Sequence, residues 1–458
     1  MNNILRTDSY KLTHWDMYPV GATHVYSYLE ARKGGLYEKT KWFGLQYLLK
    51  KYLEGQFFDE RDINEAEAVA DQHFGRKGQF NRGMWEHILR VHGGRLPLRI
   101  MSAPDGLVIP TGNVLCTVEN TDPHCSSLTN ALESLLLKVW YPTTVATVSL
   151  HVREMFERYF KENCDDNERP DFLLHDFGYR GVSSEESAGV GGMAHLLNFL
   201  GTDTVPAMVY ASRYYGAPLV SAYSVAASEH SIMTSEGVEG EIDRARRIIA
   251  NHPNQIVSLV ADSYDYYNFV KAMCKEQDLV DRCKVKLVIR PDSPTEKHPL
   301  PQDLVAWTLN YLANNLRNVS YNSKGRTVLP YGVLWGDGIG PEGIEKIMRV
   351  AIAGGFSPMN LVFGMGGGLL QKLNRDTCRF AFKCSAMKID GKWKDVQKIP
   401  LDRTKASKKG RLELGDLDEG IYTTRQEGDL AIPNILRPVF ENGVILKQDT
   451  WAEVRSRN

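Results

Sequence analysis

The 458-residue sequence has no run near the roughly 18 consecutive apolar residues that a membrane-spanning helix requires. Its opening, MNNILRTDSYKLTHW, lacks the charged-then-apolar layout of a secretion signal, so a cytoplasmic protein is expected. Cysteine is sparse. The seven (Cys116, Cys125, Cys164, Cys274, Cys283, Cys378 and Cys384) are odd in number, widely spaced and without a CxxC pair. Reduced thiols are therefore expected, and no structural zinc site. An excess of either charge is also missing. A formal net charge of -1 excludes a protein built to coat nucleic acid, which needs a basic stripe or surplus, so any anion site must be local. There is no internal repeat, low-complexity tail or disordered linker.

What is present is an ordinary enzyme-sized composition, 43% hydrophobic and 24% charged, enough for two or three domains. From Leu96 to Glu119 apolar and polar residues alternate, broken by the turns Pro104-Asp105-Gly106 and Thr111-Gly112-Asn113, which predicts antiparallel strands. Leu128, Leu132, Leu135, Leu136 and Val139 then recur at helical spacing and predict a core-facing helix.

Between about Asp171 and Gln371 the pattern becomes short apolar runs separated by longer segments. The runs are Phe172 to His175, Ile256 to Asp262, Val285 to Asp292, Val333 to Asp337 and Leu361 to Gly364. The best-marked helix lies between Gly340 and Gly355, with Pro341 near its start and Ile344, Ile347, Met348 and Ala351 on one face. Strands alternating with helices imply a parallel sheet. Because chemically capable residues end the runs, a (β/α) barrel with its site on that rim explains the layout better than an open sheet. After Phe380 strand-like text returns with a basic stretch, Lys405 to Arg411.

Each motif has a bland reading beside the functional one. Phe363-Gly364-Met365-Gly366-Gly367-Gly368 follows a strand and precedes the helix-like LLQKLNRD, which suits a phosphate cradle; alone it is a structural turn about as often. It is no dinucleotide fingerprint, since Leu369 stands in place of the last glycine, and no P-loop. Arg290-Pro291-Asp292 and Gly336-Asp337-Gly338 end two strands and offer a guanidinium for phosphate and carboxylates for ribose hydroxyls, although a single Asp there is usually a cap. His175-Asp176-Phe177-Gly178-Tyr179-Arg180-Gly181 pairs an aromatic face with an arginine; standing alone, it reads as core and surface. His230, close to Glu229, reads as a proton or phosphoryl acceptor with Asp262 as partner, or as a structural histidine.

These stretches, in this order, resemble the nicotinamide phosphoribosyltransferases, in the nicotinate/nicotinamide branch of the type II phosphoribosyltransferases. The matching text is TDSYKLTH (7–14), GLQY (44–47), VENTDP (118–123), HDFGYRGVSS (175–184), NFLGTDTV (198–205), SEHS (228–231), DSYD (262–265), IRPDS (289–293), GDG (336–338), GGGLLQKL (366–373), FKCS (382–385) and SKKGRL (407–412). A dozen colinear matches are highly specific where any one is weak.

The resemblance implies an irregular (β/α) barrel over residues 161–379. An α+β domain would form from residues 1–160, with residues 380–458 packing against it. It implies a homodimer with shared active sites and transfer of phosphoribose from phosphoribosyl pyrophosphate to nicotinamide, with Mg²⁺ and coupled ATP hydrolysis. Nicotinamide would stack between Phe177 and Tyr10 of the partner subunit, its amide meeting Asp203 and Arg290. Asp203 would repel nicotinate's carboxylate and so favour the amide. Asp292, Gly336 and Asp337 would line the ribose, and Gly366 and Gly367 the 5-phosphate, with Arg375 and Lys383 from across the dimer. Arg180, Arg32, Lys398 and Lys405 would grip pyrophosphate or ATP. His230 would be phosphorylated, Asp262 would orient it, and Ser224 would lie nearby.

Departures from the family pattern are Ala381 in place of the usual serine, Ser293-Pro294-Thr295-Glu296 in place of SGNP, and a short segment after Arg32. Rival readings are a nicotinate phosphoribosyltransferase, which would lack a carboxylate at position 203, a silent nicotinamide sensor, and a barrel isomerase acting on a sugar phosphate.

Overall fold

The computed structural model describes residues 1–401, 406–418, 420–428 and 432–457. The chain separates into two compact units, one of residues 1–147, 211–217 and 374–458, the other of residues 148–210 and 218–373.

The second unit holds the barrel. Its seven strands are all parallel and run in the order Gly201–Thr202, Leu174–Asp176, Leu361–Met365, Gly332–Trp335, Lys286–Arg290, Ile256–Val260, Ala226–Ala227. One edge strand is bridged to the segment that leads into the other: Thr202 N donates to Tyr223 O at 3.0 Å and Tyr223 N to Leu200 O at 2.8 Å, which bridges Gly201 to Tyr223, just before Ala226–Ala227. The sheet is thereby curled toward closure, with one bridge across the gap between its two edges. Five strands are the apolar runs of the sequence; the two of two residues each are too short to show a pattern.

The helix Pro341–Ala353 forms as its signals predict. Pro341 takes the first turn, where its missing N–H costs nothing, and Ile344, Ile347, Met348 and Ala351 are buried. Elsewhere in this unit Phe156 stacks on Phe363 with centroids 5.8 Å apart, sealing the outer face of a barrel strand.

Two helix expectations are corrected. After the glycine run the helix covers Gly367–Leu370 and stops, because Asn374 captures the chain: its Oδ1 accepts from the backbone N of Asp376 at 2.8 Å and of Thr377 at 3.2 Å. The Leu128–Val139 stretch is broken into short helical turns, Leu128–Ala131, Glu133–Leu136 and Leu137–Val139, before the long helix Trp140–Asn163. Pro142 explains the restart, being tolerated in a first turn but not inside one continuous helix. The five apolar residues are buried as expected.

The first unit is built on a seven-stranded antiparallel sheet, ordered Lys392–Asp395, Phe380–Ile389, Ala22–Ala31, Val114–Asn120, Leu98–Ser102, Arg437–Glu441, Val444–Ile445. Both expected turns between residues 96 and 119 are present, with Gly106 at φ 95° and Gly112 at φ 86°, where a side chain is strained. An interior strand, Ala22–Ala31, pairs with Phe380–Ile389 on one side and Val114–Asn120 on the other. All seven cysteines are free, and no helix among the described residues is long and apolar enough to cross a membrane.

Candidate active site

Each barrel strand delivers a polar group to the same end. Leu174–Asp176 leads to Phe177 and, one turn on, Arg180; Gly201–Thr202 leads to Asp203; Ala226–Ala227 leads to His230. Ile256–Val260 leads to Asp262, Lys286–Arg290 to Arg290 and Asp292, Gly332–Trp335 to Gly336 and Asp337, and Leu361–Met365 to Gly366 and Gly367. Below this rim lies a cavity of about 280 Å³. Phe177, Asp203 and Arg290 line one end, while Ile256 and Val362, from the beginnings of their strands, line it deeper, so it follows the barrel axis.

The cavity is shaped by glycines. A Cβ on Gly364 would fall 2.0 Å from the Phe177 ring, and one on Gly201 would fall 2.6 Å from the His175 ring. Both rings therefore lie where strand side chains would stand, with centroids 6.2 Å apart. Burial pushes His175 down against the opposing pull of Asp203, which keeps the imidazole neutral in the wall.

Asp203 is exposed at the mouth and accepts a short hydrogen bond from the Ser224 hydroxyl. Its backbone N donates to Asp176 O at 2.9 Å. Asp176 is itself buried and accepts from Gly178 N at 2.7 Å, which pins the turn carrying Phe177 and Arg180. Burial raises the Asp176 carboxyl to about 6, against the stabilising bond from Gly178.

Arg290 directs Nε and Nη2 to the same oxygen of Asp292, Oδ1, at 3.0 and 2.8 Å. On the neighbouring strands His230 Nε2 stands 3.1 Å from Asp262 Oδ1, and Ser293 Oγ donates to Asp262 Oδ2 at 2.5 Å. The carboxylate thus holds the imidazole from one side and the loop beside Asp292 from the other. Asp337 is exposed, and its backbone O accepts from Trp335 Nε1 at 2.8 Å. A Cβ on Gly367 would meet open space, whereas Gly366 faces the Phe177 carbonyl. A four-residue helix adds little dipole, so the anion-binding potential there rests on the backbone N–H groups.

The other unit gathers the remaining predicted residues except two. Burial lowers Lys383, with Arg32, Lys11 and Arg375 adding repulsion and Glu133 opposing it. Tyr10 belongs to the same patch, since Lys11 Nζ lies 5.3 Å from its ring centroid. Lys11 pairs with Glu133 and was not singled out from the sequence. Lys398 is exposed on a turn held by Ser407, and Lys405 lies outside the described residues. Sequence reasoning also passed over Tyr223 and Ser258, both lining the cavity. Ser258 Oγ is buried with no hydrogen-bond partner among the described residues, a state that an isolated Ser in a strand does not signal.

Residues 172–444 match the model of the nicotinate phosphoribosyltransferase (NAPRTase) family, and residues 2–100 that of the nicotinamide phosphoribosyltransferase N-terminal domain. A nicotinamide phosphoribosyltransferase of Xanthomonas campestris pv. campestris (strain 8004) is 42% identical over 471 residues, covering 99% of this chain and 97% of that protein. Another, of Mycoplasma pneumoniae, is 35% identical over 453 residues, covering 91% of this chain and 96% of that protein. Among solved structures, nicotinate-nucleotide pyrophosphorylase from Pyrococcus furiosus superposes with a TM-score of 0.63 at 14% identity, covering 99% of this chain and 94% of that one, which supports the fold. With relatives matched along almost their whole length, the chain belongs to the nicotinate phosphoribosyltransferase family, in its nicotinamide phosphoribosyltransferase branch.

Proposed function

We propose that the enzyme joins nicotinamide to the 5-phosphoribosyl group of phosphoribosyl pyrophosphate, releasing pyrophosphate and forming nicotinamide mononucleotide for NAD salvage. The observation that carries this reading is the pairing of Phe177 with Asp203 at one cavity mouth. A flat ring stacks on the first, and a carboxylate whose partner is a hydroxyl welcomes an amide N–H and repels a second carboxylate. Tyr10 of the partner subunit closes the sandwich in a homodimer with shared sites, and Arg290 binds near the amide oxygen.

The pyridine nitrogen attacks the anomeric carbon as the bond to pyrophosphate breaks, through an oxocarbenium-like state that needs no protein nucleophile. Asp292, Gly336 and Asp337 hold the ribose, Gly366 and Gly367 the 5-phosphate, and Arg180 the leaving group. Arg32, Arg375, Lys383 and Lys398 supply further positive charge, Arg375 and Lys383 from across the dimer. Both Arg290 contacts go to Oδ1 of Asp292, which leaves Oδ2 for another partner. With Asp337 it offers the hard oxygens that Mg²⁺ prefers, and the ion would neutralise pyrophosphate.

His230 is the acceptor for the γ-phosphoryl group of ATP in this proposal. With Nε2–H donating to Asp262, the Nδ1 lone pair is the nucleophile, and the P–O bond to ADP breaks as the N–P bond forms. The enzyme works in the cytoplasm.

The deciding assay measures mononucleotide formation from phosphoribosyl pyrophosphate and Mg²⁺ with nicotinamide or nicotinate, with ATP added or withheld. Product from nicotinamide, raised by ATP, is expected. Product from nicotinate alone moves the activity to the sibling enzyme, and binding without product makes the chain a sensor.

A further inference from the structure

The first unit carries a cluster that the transferase chemistry does not use. The helix Arg82–His92 supplies His87 and His92, and the chain beyond the strand Val114–Asn120 supplies Asp122. Both Nε2 atoms lie 2.8 Å from the same oxygen, Asp122 Oδ2. Nearby, His124 Nδ1 lies 3.1 Å from Oδ1, which also caps the following turn by accepting from His124 N at 2.8 Å. One carboxylate is thus shared by three imidazoles, which together with the His124 backbone N–H use about all of its acceptor sites.

Imidazole nitrogen and carboxylate oxygen are the donors that zinc-like ions prefer. Among the described residues, His87, His92 and Asp122 form the group of such side chains whose ligand atoms all lie within 4.8 Å of one another. Two metal bonds at a tetrahedral angle place their donor atoms about 3.3 Å apart, so an ion fits after the 2.8 Å contacts open by about half an ångström. The side chains of His87, His92 and Asp122 are 18%, 23% and 12% exposed, enough for an ion to enter while the ligands stay packed.

We propose that His87, His92 and Asp122 bind a divalent late first-row transition metal, with zinc as the reference ion and His124 as the ligand at the open side. Binding exchanges the two Nε2–H···O bonds for metal–nitrogen and metal–oxygen bonds, and the single proton of each neutral ring moves through solvent from Nε2 to Nδ1, which frees the Nε2 lone pair for the ion. Such an ion clips the end of the helix to a segment 30 to 35 residues further along the chain. The cysteine pattern bears on thiolate sites alone and is silent about a histidine–carboxylate one.

The test uses full-length protein stripped with EDTA and titrated with zinc chloride by calorimetry, beside H87Q and H92Q. The wild type should take up one zinc per chain more than either variant, or bind that zinc at least about tenfold more tightly. Cobalt(II) should give visible d–d absorption that both variants lose. Circular dichroism and mononucleotide formation check that the variants remain folded. Equal stoichiometry and affinity in all three proteins overturns the site and leaves an ordinary hydrogen-bonded cluster.

Discussion

Phe177 occupies the space that a side chain on Gly364 would fill, a Cβ there falling 2.0 Å from its ring. Two strands that are neighbours in the barrel, Leu174–Asp176 and Leu361–Met365, are therefore coupled through one missing methyl group. The aromatic face at the cavity mouth depends on a residue that has no side chain to offer.

Gly364→Ala should move the ring and weaken the nicotinamide sandwich more than phosphoribosyl binding. Steady-state kinetics should show KM for nicotinamide rising by about 10 to 100-fold, roughly 1.4 to 2.8 kcal/mol, with KM for phosphoribosyl pyrophosphate changed much less. Equal changes in both constants would count against a local seat for the base.

Asp203→Asn removes the charge and keeps the shape. Discrimination against nicotinate should fall by at least about tenfold, since the repulsion of one carboxylate by another is lost. The ratio of kcat/KM for the two bases measures it; an unchanged ratio removes Asp203 from the specificity argument.

His230→Ala should abolish the increase in turnover on adding ATP while leaving a slower, ATP-independent reaction. Asp262→Asn should reduce the increase and leave part of it, because the 3.1 Å contact with the imidazole is weakened and not deleted. Persistence of full ATP stimulation in the His230 variant would falsify the phosphohistidine.

Stability should carry the signature of Asp176. Its carboxyl is raised to about 6 from 3.8, so between those pH values the folded chain keeps a proton that the unfolded chain has lost. Folded-state stability from this group is full below pH 3.8 and declines as pH rises toward 6. Asp176→Asn should therefore gain on the wild type across that window by up to about 3 kcal/mol, read from denaturant midpoints at stepped pH. A constant difference between the two proteins contradicts the burial of an ionisable group.

Much of the barrel is written in periodicity. Runs such as Val285 to Asp292 are apolar because a parallel strand is covered on both faces, and they end in chemistry because the rim is where solvent begins. Gly201–Thr202 and Ala226–Ala227 left no such trace, since two residues make no pattern. The helix after Gly368 was overdrawn because LLQKLNRD has helical propensity, while the hydrogen bonds of Asn374 that end it are a tertiary-scale choice between two local options. Gly366 and Gly367 were visible as a glycine turn. Gly364 and Gly201 were not legible as spacers for rings, because nothing in a linear text says that Phe177 and His175 fold back over them.

The interior strand Ala22–Ala31 of the antiparallel sheet pairs Ala22 with Ile389 and Ala31 with Phe380. During synthesis that strand is made early and waits for its second partner, made more than three hundred residues later and after every strand of the barrel. The barrel can thus mature first, and the long-waiting hydrophobic strand is the segment for which a nascent chain most needs a chaperone's shelter.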